Sequence, residues 1–332
     1  MAEFTRRAFA LGIAGATAGL SAAPALARVM RSGGPYRVIC GFPIGTGGDT
    51  ICRFFARQLE PLLGAAVTVE NIMEAEHEGY EGNLATRHVL AAPRNGHAIY
   101  LTAGAILVAN QALQRHPAFD VGTALTSIGT MTRVPNTIVV AANSPYRTLA
   151  DLTAAMKVKG AAARYGVPNG SVVRVIGALY RYHAGLRAHE MVRRQSRDVF
   201  SDLEEGKVDY AFSNNWYSVQ QEQAGRVRIL AMSLRDRLQA APQYPTFTEN
   251  GLPIDVDGWW GGYVAAGTPR PVVERLAAAL RTVVSSEECR KFFNGIICDP
   301  WPGTPRLGQA HLREQLVAWR RYVDIAGLEK EG

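Results

Sequence analysis

The sequence has few cysteines, and they are not arranged to hold a metal ion. Four occur in 332 residues, none in a Cys-x-x-Cys pair, and the seven histidines are scattered. Zinc sites take closely spaced Cys and His ligands, so we expect no metal site. Cys289 and Cys298 are near enough in sequence to pair in an oxidising compartment, whereas Cys40 and Cys52 are expected to be buried thiols.

Motifs that mark common catalytic sites are also absent from the sequence. The chain has no G-x-S-x-G elbow, no P-loop and no H-E-x-x-H, which are typical of hydrolases, nucleotide-binding enzymes and metalloproteases. His77 and His183 are therefore interpreted as surface or hydrogen-bonded residues, not bases. We expect no catalytic residues and no cofactor.

No run of 18 or more apolar residues follows residue 30, so we expect no membrane span in the mature chain. Residues 1–27 instead have the pattern of a twin-arginine signal peptide. Arg6-Arg7 precedes an apolar stretch from Leu11 to Ala23, and an A-x-A cleavage site ends at Ala27. The sequence predicts cleavage after Ala27 and a periplasmic location.

The formal net charge is +7, a moderate excess that favours anionic ligands. The densest basic cluster is Arg193, Arg194 and Arg197, and it lacks the aromatic residues that stack on single-stranded nucleic acid. We therefore expect no nucleic-acid partner.

The length exceeds what one hydrophobic core usually supports, so two domains are expected. Short apolar runs such as Val38–Cys40 and Ile99–Leu101 alternate with segments of helical periodicity, which predicts an α/β fold with parallel strands. The simplest arrangement has one lobe made of residues 34–132 plus 236–332. Residues 133–235 form the other lobe, with a hinge near 133–136 and 232–236.

The most informative segment runs from Gly41 to Thr50, between the first strand and the first helix. Its glycines allow backbone N–H groups to approach a ligand closely. Asp49 is a candidate helix cap, and the positive end of the helix dipole suits an anion. The alternative interpretation is a tight turn that needs glycine for its geometry alone.

A nucleotide-binding enzyme is the main rival hypothesis for this segment. Gly45 and Gly47 resemble part of a dinucleotide fingerprint, and Glu70 lies at a plausible distance to bind a ribose. However, the third glycine position is occupied by Thr50, and Pro43 interrupts the turn. An exported NAD(P)-dependent oxidoreductase therefore stays open as an alternative.

Two similar helix starts occur in the middle of the chain, at Asn169-Gly170-Ser171 and at Ser196. Both have the residue types of helix N-caps, and capping alone would explain them. The functional hypothesis is that these helix ends meet the glycine-rich loop and Thr102 in one cleft, at the carboxyl ends of the strands.

Several short motifs together resemble the solute receptors of tripartite tricarboxylate transporters, the Bug family. The resemblance extends from about Tyr36 to Leu328. It rests on Val38–Arg53, Val69-Glu70-Asn71, Arg94-Asn95-Gly96-His97, Val134-Pro135-Asn136, Gly206-Lys207-Val208-Asp209 and Ala266-Gly267-Thr268-Pro269.

This resemblance implies a type II periplasmic binding protein, or Venus flytrap, in which two lobes with mixed, mostly parallel sheets close on a carboxylate. It also implies a monomer that presents its closed form to membrane permease subunits. A sensor that presents the closed form to a signalling partner is an alternative. The implied ligand-binding residues are Phe42, Pro43, Ile44, Gly45, Thr46, Gly47, Thr102, Asn169, Gly170, Ser171, Ser196, Ser213 and Asn214.

Three departures from the family pattern modify this expectation. A longer acidic segment, Ile72–Gly82, replaces a short glycine-rich run, and Arg194-Gln195 stands where Lys-Gly is usual. Ser213 replaces a common Asp, which removes a negative charge that could pair with an amine. We therefore expect a plain carboxylic acid that carries no ammonium group.

Overall fold

The computed structural model describes residues 34–73, 82–169, 171–256 and 258–330. The expected signal peptide, Gly170 and most of the acidic segment lie outside these residues. The β-strands are β1 Tyr36–Cys40, β2 Val67–Asn71, β3 Ala98–Ala103, β4 Leu125–Arg133, β5 Asn136–Ala141, β6 Arg164–Pro168, β7 His189–Arg193, β8 Tyr210–Asn214, β9 Val227–Met232, β10 Trp260–Ala265 and β11 Asp299–Pro300.

The α-helices are α1 Gly47–Leu63, α2 Asn83–Ala91, α3 Gly104–Leu113, α4 Val121–Ala124, α5 Leu149–Lys159, α6 Ser171–His183, α7 Ser196–Glu204, α8 Asn215–Gln223, α9 Arg270–Val284, α10 Glu287–Gly295 and α11 Pro305–Ala326. None of the helices in the described ranges combines the length and the apolar composition needed to cross a membrane.

The strands form two mixed sheets. The first has the order β11-β4-β10-β3-β1-β2, and the second has the order β7-β6-β8-β5-β9. Parallel pairing joins β1 to β2 and β3, and β6 to β7 and β8, as expected for strands linked by crossover helices. The other pairs are antiparallel. Two mixed sheets flanked by helices confirm the predicted α/β class. The expectation that the sheets are mostly parallel was wrong, because antiparallel pairs outnumber parallel ones among the described strands.

The chain passes between the sheets twice. It leaves the first sheet after β4 and enters the second at β5 through Val134-Pro135. It returns between β9 and β10 through a longer segment with a 3-10 turn at Thr248–Asn250. The first sheet is therefore built from two separate parts of the chain, and the second from one continuous part.

Helix α1 shows why the local sequence folds as it does. Its apolar residues recur at helical spacing, so Phe55 and Leu59 are buried against the sheet. The helix ends at Gly64, which has a left-handed φ of 65°, a conformation that glycine adopts without a steric penalty. This helix was predicted from its periodicity.

Helix α3 was not predicted from the sequence. It is apolar on nearly every side, and most of its residues are buried. Because it lacks a polar face, it has no amphipathic period for sequence reasoning to detect. It packs against α6 and α11, so its burial depends on contacts that are distant in sequence.

The largest apolar cluster contains residues from both sheets. Tyr100 of β3, Phe212 of β8 and Trp319 of α11 belong to it, and each is fully buried. Helix α11 extends this cluster because it packs against β4, α3 and α6. The two sheets are thus joined by apolar packing as well as by the chain crossings.

The four cysteines are buried and form no disulfide. Cys40 and Cys52 are buried as expected, and the possible Cys289–Cys298 bridge is not formed. The amide nitrogen of Asn215 lies 3.4 Å from the sulfur of Cys298. Burial raises the pKa of the Cys289 thiol to about 12, so the reactive thiolate is rare at neutral pH.

These thiols should be inert in the native protein. In 5,5′-dithiobis(2-nitrobenzoic acid) without reductant, we expect negligible rapid reaction of the folded protein, because burial of all four thiols hinders access of the reagent. After unfolding in guanidinium, all four thiols should titrate. A count two lower after unfolding, restored by prior reduction, would show a disulfide and contradict the structure.

Candidate functional site

The glycine-rich loop joins β1 to the first turn of α1. Thr46 is the N-cap of the helix, and its hydroxyl oxygen accepts a hydrogen bond from the Asp49 N–H at 3.4 Å. The prediction that Asp49 caps the helix was therefore wrong. Asp49 lies in the first helical turn, and its carboxylate points back to accept from the Gly45 N–H at 2.9 Å. This arrangement resembles a capping box, except that the carboxylate accepts from the residue before the cap and not from the cap itself.

Asp49 is also the centre of a buried polar network. Its carboxylate accepts from Arg53 at 2.9 Å on the same helix and from the Asn71 side chain at 2.9 Å at the end of β2. The same Asn71 amide donates to the Phe42 carbonyl at 2.9 Å, and its oxygen accepts from Arg53 at 3.1 Å. The network therefore connects the loop, the helix and the neighbouring strand.

The electrostatics of Asp49 follow from these contacts. Its side chain is 3% exposed, and burial alone would raise its pKa. Hydrogen bonds from Arg53, the Gly45 N–H and Asn71 favour the charged form and together outweigh burial. The pKa of Asp49 consequently lies below its ordinary value. Asp49 is therefore ionised at neutral pH, and its negatively charged carboxylate holds the glycine-rich loop in place.

The two amides at the start of α1 remain available to a ligand. Among the described residues, the N–H groups of Gly47 and Gly48 have no hydrogen-bond acceptor, as is usual for the first turn of a helix. A Cβ at Gly47 would meet nothing within 4 Å. At Gly48 it would lie 2.4 Å from the Phe42 ring, which stacks on Trp260 at 5.1 Å. Only glycine allows that packing.

The second sheet contributes a facing group of residues at the end of β8. Ser213 is fully buried, and its hydroxyl donates to the Ser196 hydroxyl at 3.0 Å. Asn214 is the N-cap of α8, where its side-chain oxygen accepts from the Tyr217 N–H at 2.9 Å. The sequence analysis did not predict α8. The N-cap of α7 is Gln195, so Ser196 is the first helical residue and not the cap.

A cavity of about 140 Å³ lies between the start of α1 and the start of α8. We call it the inter-sheet pocket. Two of the predicted ligand-binding residues, Gly47 and Asn214, line it, and Trp260 forms part of its wall. Its full lining is Gly47, Gly48, Thr50, Ile51, Val134, Asn214, Asn215, Trp216, Trp260, Phe292, Ile296 and Cys298.

The other predicted residues have different positions. Ile44 is 75% exposed, whereas Thr102 is buried in β3 opposite Gly261. Asn169 is exposed, and its N–H donates to the Arg193 carbonyl at 2.6 Å. Gly170 lies outside the described residues, and Ser171 begins α6. Pro43 accepts hydrogen bonds from Thr46 and so serves the turn itself.

Sequence reasoning missed several residues that shape the site. Arg53 and Asn71 were quoted only as parts of motifs, yet they hold Asp49. Asn215 was not singled out, although its amide donates to the Ile296 and Ile297 carbonyls at 3.0 and 2.8 Å. The repeated asparagine after β8 was the available signal.

Glu70, the residue proposed to bind a ribose, is already engaged in an ion pair. Its carboxylate lies 3.0 Å from the Arg37 guanidinium and 3.8 Å from the His88 ring. Among the described residues, no three Cys, His, Asp or Glu side chains cluster in a way that could hold a metal ion. Among the described residues, the groups that the pocket offers to a ligand are therefore mainly backbone amides and apolar side chains.

Comparison with known proteins identifies the family. A family model described as the tripartite tricarboxylate transporter family receptor matches residues 51–328, well over half of the chain. The chain belongs to this receptor family. This family is a class of solute-binding receptors and not a class of enzymes. The matched range begins at Ile51, so the glycine-rich loop lies just before it.

Two relatives of this receptor cover most of its length. BugT of Bordetella pertussis is 24% identical, and the alignment covers 98% of each chain. A UPF0065 protein from the tcbD-tcbE intergenic region of Pseudomonas sp. is 26% identical over 87% of this chain and 85% of its own.

Solved structures show the same fold. A periplasmic binding protein, BugD, superposes with a TM-score of 0.73 at 24% identity over 90% of this chain and 99% of its own. An R. palustris protein solved with adipate gives 0.75 at 24% identity, with 89% and 98% coverage. MatC from Rhodopseudomonas palustris, solved with bound malate, gives 0.71 at 22% identity, with 87% and 98% coverage. The predicted periplasmic binding protein fold is confirmed.

The buried network of this receptor predicts a defined pH dependence. Asp49→Asn should lower the free energy of unfolding at pH 7 by roughly 1.5–3 kcal/mol, because it removes charge-assisted hydrogen bonds. The folded pKa of Asp49 is depressed, so its stabilisation is present above the unfolded value of 3.8 and is lost as pH falls through the folded pKa. The difference in unfolding free energy between the unmodified protein and the Asp49→Asn variant should therefore narrow below pH 4.

Urea unfolding at pH 7, 5 and 3 would measure this gap. Asp324→Asn is the matched control, because the side chain of Asp324 is 70% exposed and its loss should change stability little at any of these pH values. Equal gaps for Asp49→Asn at all three pH values would contradict the assignment.

Proposed function

We propose that this receptor captures a small carboxylate between its two sheets and presents the closed form to the membrane subunits of a tripartite tricarboxylate-type carrier. The observation that carries the proposal is the inter-sheet pocket, which lies between the first turns of α1 and α8. Relatives of the same fold were solved with adipate and with malate. Capture and release of the carboxylate require no covalent step, so the proposed function includes no catalysis.

The carboxylate would be bound at the first turn of α1. The N–H groups of Gly47 and Gly48 supply hydrogen-bond donors, and the helix dipole adds a partial positive charge. The Gly45 N–H is used by Asp49, so its proposed role is to position the loop. Across the pocket, the first-turn N–H groups of Asn215 and Trp216 provide the second set of donors.

We further propose that residues 34–132 plus 236–332 and residues 133–235 are lobes that close on the solute. The two chain crossings lie side by side, which supports a hinge there. The Asn136 N–H donates to the Ser233 hydroxyl at 2.9 Å, and the Ser233 N–H donates to the Asn136 carbonyl at 2.9 Å. The Gly258 N–H donates to the Val134 carbonyl at 2.9 Å. X-ray scattering with and without solute would test closure, and an unchanged profile would count against it.

Thermal unfolding of the mature protein with a panel of carboxylates tests the central proposal. A solute at about 100 times its dissociation constant should stabilise the protein by roughly 2.7 kcal/mol. Gly47→Asp should abolish the effect, because it places a negative charge beside the proposed anion-binding amides. The substitution should not disturb folding, since the space around that Cβ is open and an acidic residue suits a helix N-terminus.

Gly47→Asn is the matched control, because it has nearly the same size without the charge and should retain more of the stabilisation. Stabilisation by NADPH or NADH with no response to any acid would overturn the proposal and favour the oxidoreductase alternative. An undiminished response of the Gly47→Asp variant would show that α1 does not bind the solute.

We propose that the chain is exported through its twin-arginine signal, as the pattern at Arg6 and Arg7 indicates. Replacing both arginines with lysine should abolish export, because that pathway reads the arginine pair. The uncleaved precursor should then accumulate in the cytoplasm when cell fractions are blotted. Continued export of the double variant at the normal level would show that another route is used.

A further inference from the structure

We propose that the solute is a monocarboxylate with a compact apolar body, such as an aromatic ring, and not a dicarboxylate or tricarboxylate. This inference rests on the proposed function and narrows it to one class of acid. The inter-sheet pocket carries it, because the walls beside the proposed carboxylate-binding amides are apolar.

The walls of the pocket are formed mainly by aliphatic and aromatic side chains. These are Ile51, Val134, Trp216, Trp260, Phe292 and Ile296. Tryptophan and phenylalanine provide large flat surfaces that stack on other planar groups. Such walls exclude water from an apolar solute, whereas the only hydrogen-bonding groups of these six side chains are the two indole N–H donors.

The pocket lining contains no Lys, Arg, His, Asp or Glu. A second carboxylate would have only the first-turn amides of α8 and no cation to replace its hydration, which is unfavourable for a second negative charge in an apolar cavity. Arg53 lies on α1, the helix that contributes Ile51 to the pocket wall, and its guanidinium is held by Asp49 and Asn71. It therefore has a structural role and is not a second anion site.

The polar side chains that line the pocket already have partners. The Thr50 hydroxyl donates to the Thr46 carbonyl at 2.9 Å. Asn214 caps α8, and the Asn215 amide is held by two carbonyls of the segment after α10. The cap uses only the side-chain oxygen of Asn214, so the donors left for a ligand are its side-chain NH2 and the first-turn backbone amides of α1 and α8. These neutral donors can hold one carboxylate, whereas the lining offers no cation to offset a second negative charge.

The size of the pocket agrees with one ring or a short branched chain. An apolar cavity of roughly 150 Å³ is large enough to hold benzene, and the inter-sheet pocket has about 140 Å³. Trp216 is 40% exposed, so one face of its indole is free to cover a solute. The absence of an acidic lining residue also leaves an ammonium group without a partner, which excludes amino acids.

Calorimetry with matched pairs of acids tests this inference. We would titrate the mature protein with benzoate against terephthalate and with hexanoate against adipate, since each pair differs mainly by the second carboxylate. The monocarboxylate of at least one pair should bind at least about tenfold more tightly, a difference of about 1.4 kcal/mol. Tighter binding of the dicarboxylate in both pairs would overturn the inference and leave the proposed function intact. No binding by any of the four acids or by the wider panel would overturn both.

Variants at Trp216 make the test specific to this pocket. Trp216→Ala should weaken monocarboxylate binding about tenfold through lost stacking and burial, and Trp216→Phe should restore most of it. Trp216→Lys should shift the preference toward the dicarboxylate, because it adds a cation at the pocket wall. Tyr182→Ala is the matched control, since Tyr182 is 61% exposed on α6 and does not line the pocket. Equal affinities for all these variants would place the solute elsewhere.

Discussion

The buried carboxylate of Asp49 is the constraint on which the geometry of the site depends. A charged group in this position is unfavourable unless its hydrogen bonds are satisfied, and Gly45, Arg53 and Asn71 satisfy them. The same contacts fix the loop after β1 relative to α1 and β2. The direction of the Gly47 and Gly48 amides is therefore set by a network in which neither residue takes part. A preorganised donor array loses little entropy when an anion binds.

Apolar packing around this network places aromatic walls beside the polar turn. Phe42 stacks on Trp260 and lies against Gly48, which brings an aromatic wall next to the polar turn. On the other side, the Asn215 amide holds α8 to the segment after α10, so Trp216 is brought to the same pocket. Binding energy in such a site comes from desolvated amides and from buried apolar surface. In the proposed function, their proportion would set which acids are preferred.

The relation between the two sheets combines cohesion with the hinge movement that we propose. They share a large apolar cluster, yet the chain crosses between them only at Val134-Pro135 and again before β10 within the described residues. Hydrogen bonds between Asn136 and Ser233 hold these crossings side by side. A small rotation there would change the width of the pocket while each sheet keeps its own ladder of hydrogen bonds. This is the arrangement expected of proteins that close by a hinge.

Local sequence was sufficient to predict elements whose signal is periodic or glycine-specific. Helix α1 was predicted from its apolar spacing and from Gly64, and the strand-helix alternation predicted the α/β class. Helix α3 was missed because its burial on all sides removes the polar face that reveals a helix. The cap of α1 was misassigned because Thr46 and Asp49 are both good capping residues, and only the backbone conformation distinguishes them.

The sequence alone therefore determined the class of fold, the family resemblance and the glycine-rich turn, since these depend on residue types close together along the chain. Tertiary structure decided which residues meet at the site. Gly47, the adjacent pair Asn215-Trp216 and Phe292 come from three distant parts of the sequence, and they line one pocket because two sheets and a returning chain bring them together. It also decided that Glu70 pairs with Arg37 and that Cys289 and Cys298 stay unbridged. Such pairings depend on distances in space, which local sequence patterns do not specify.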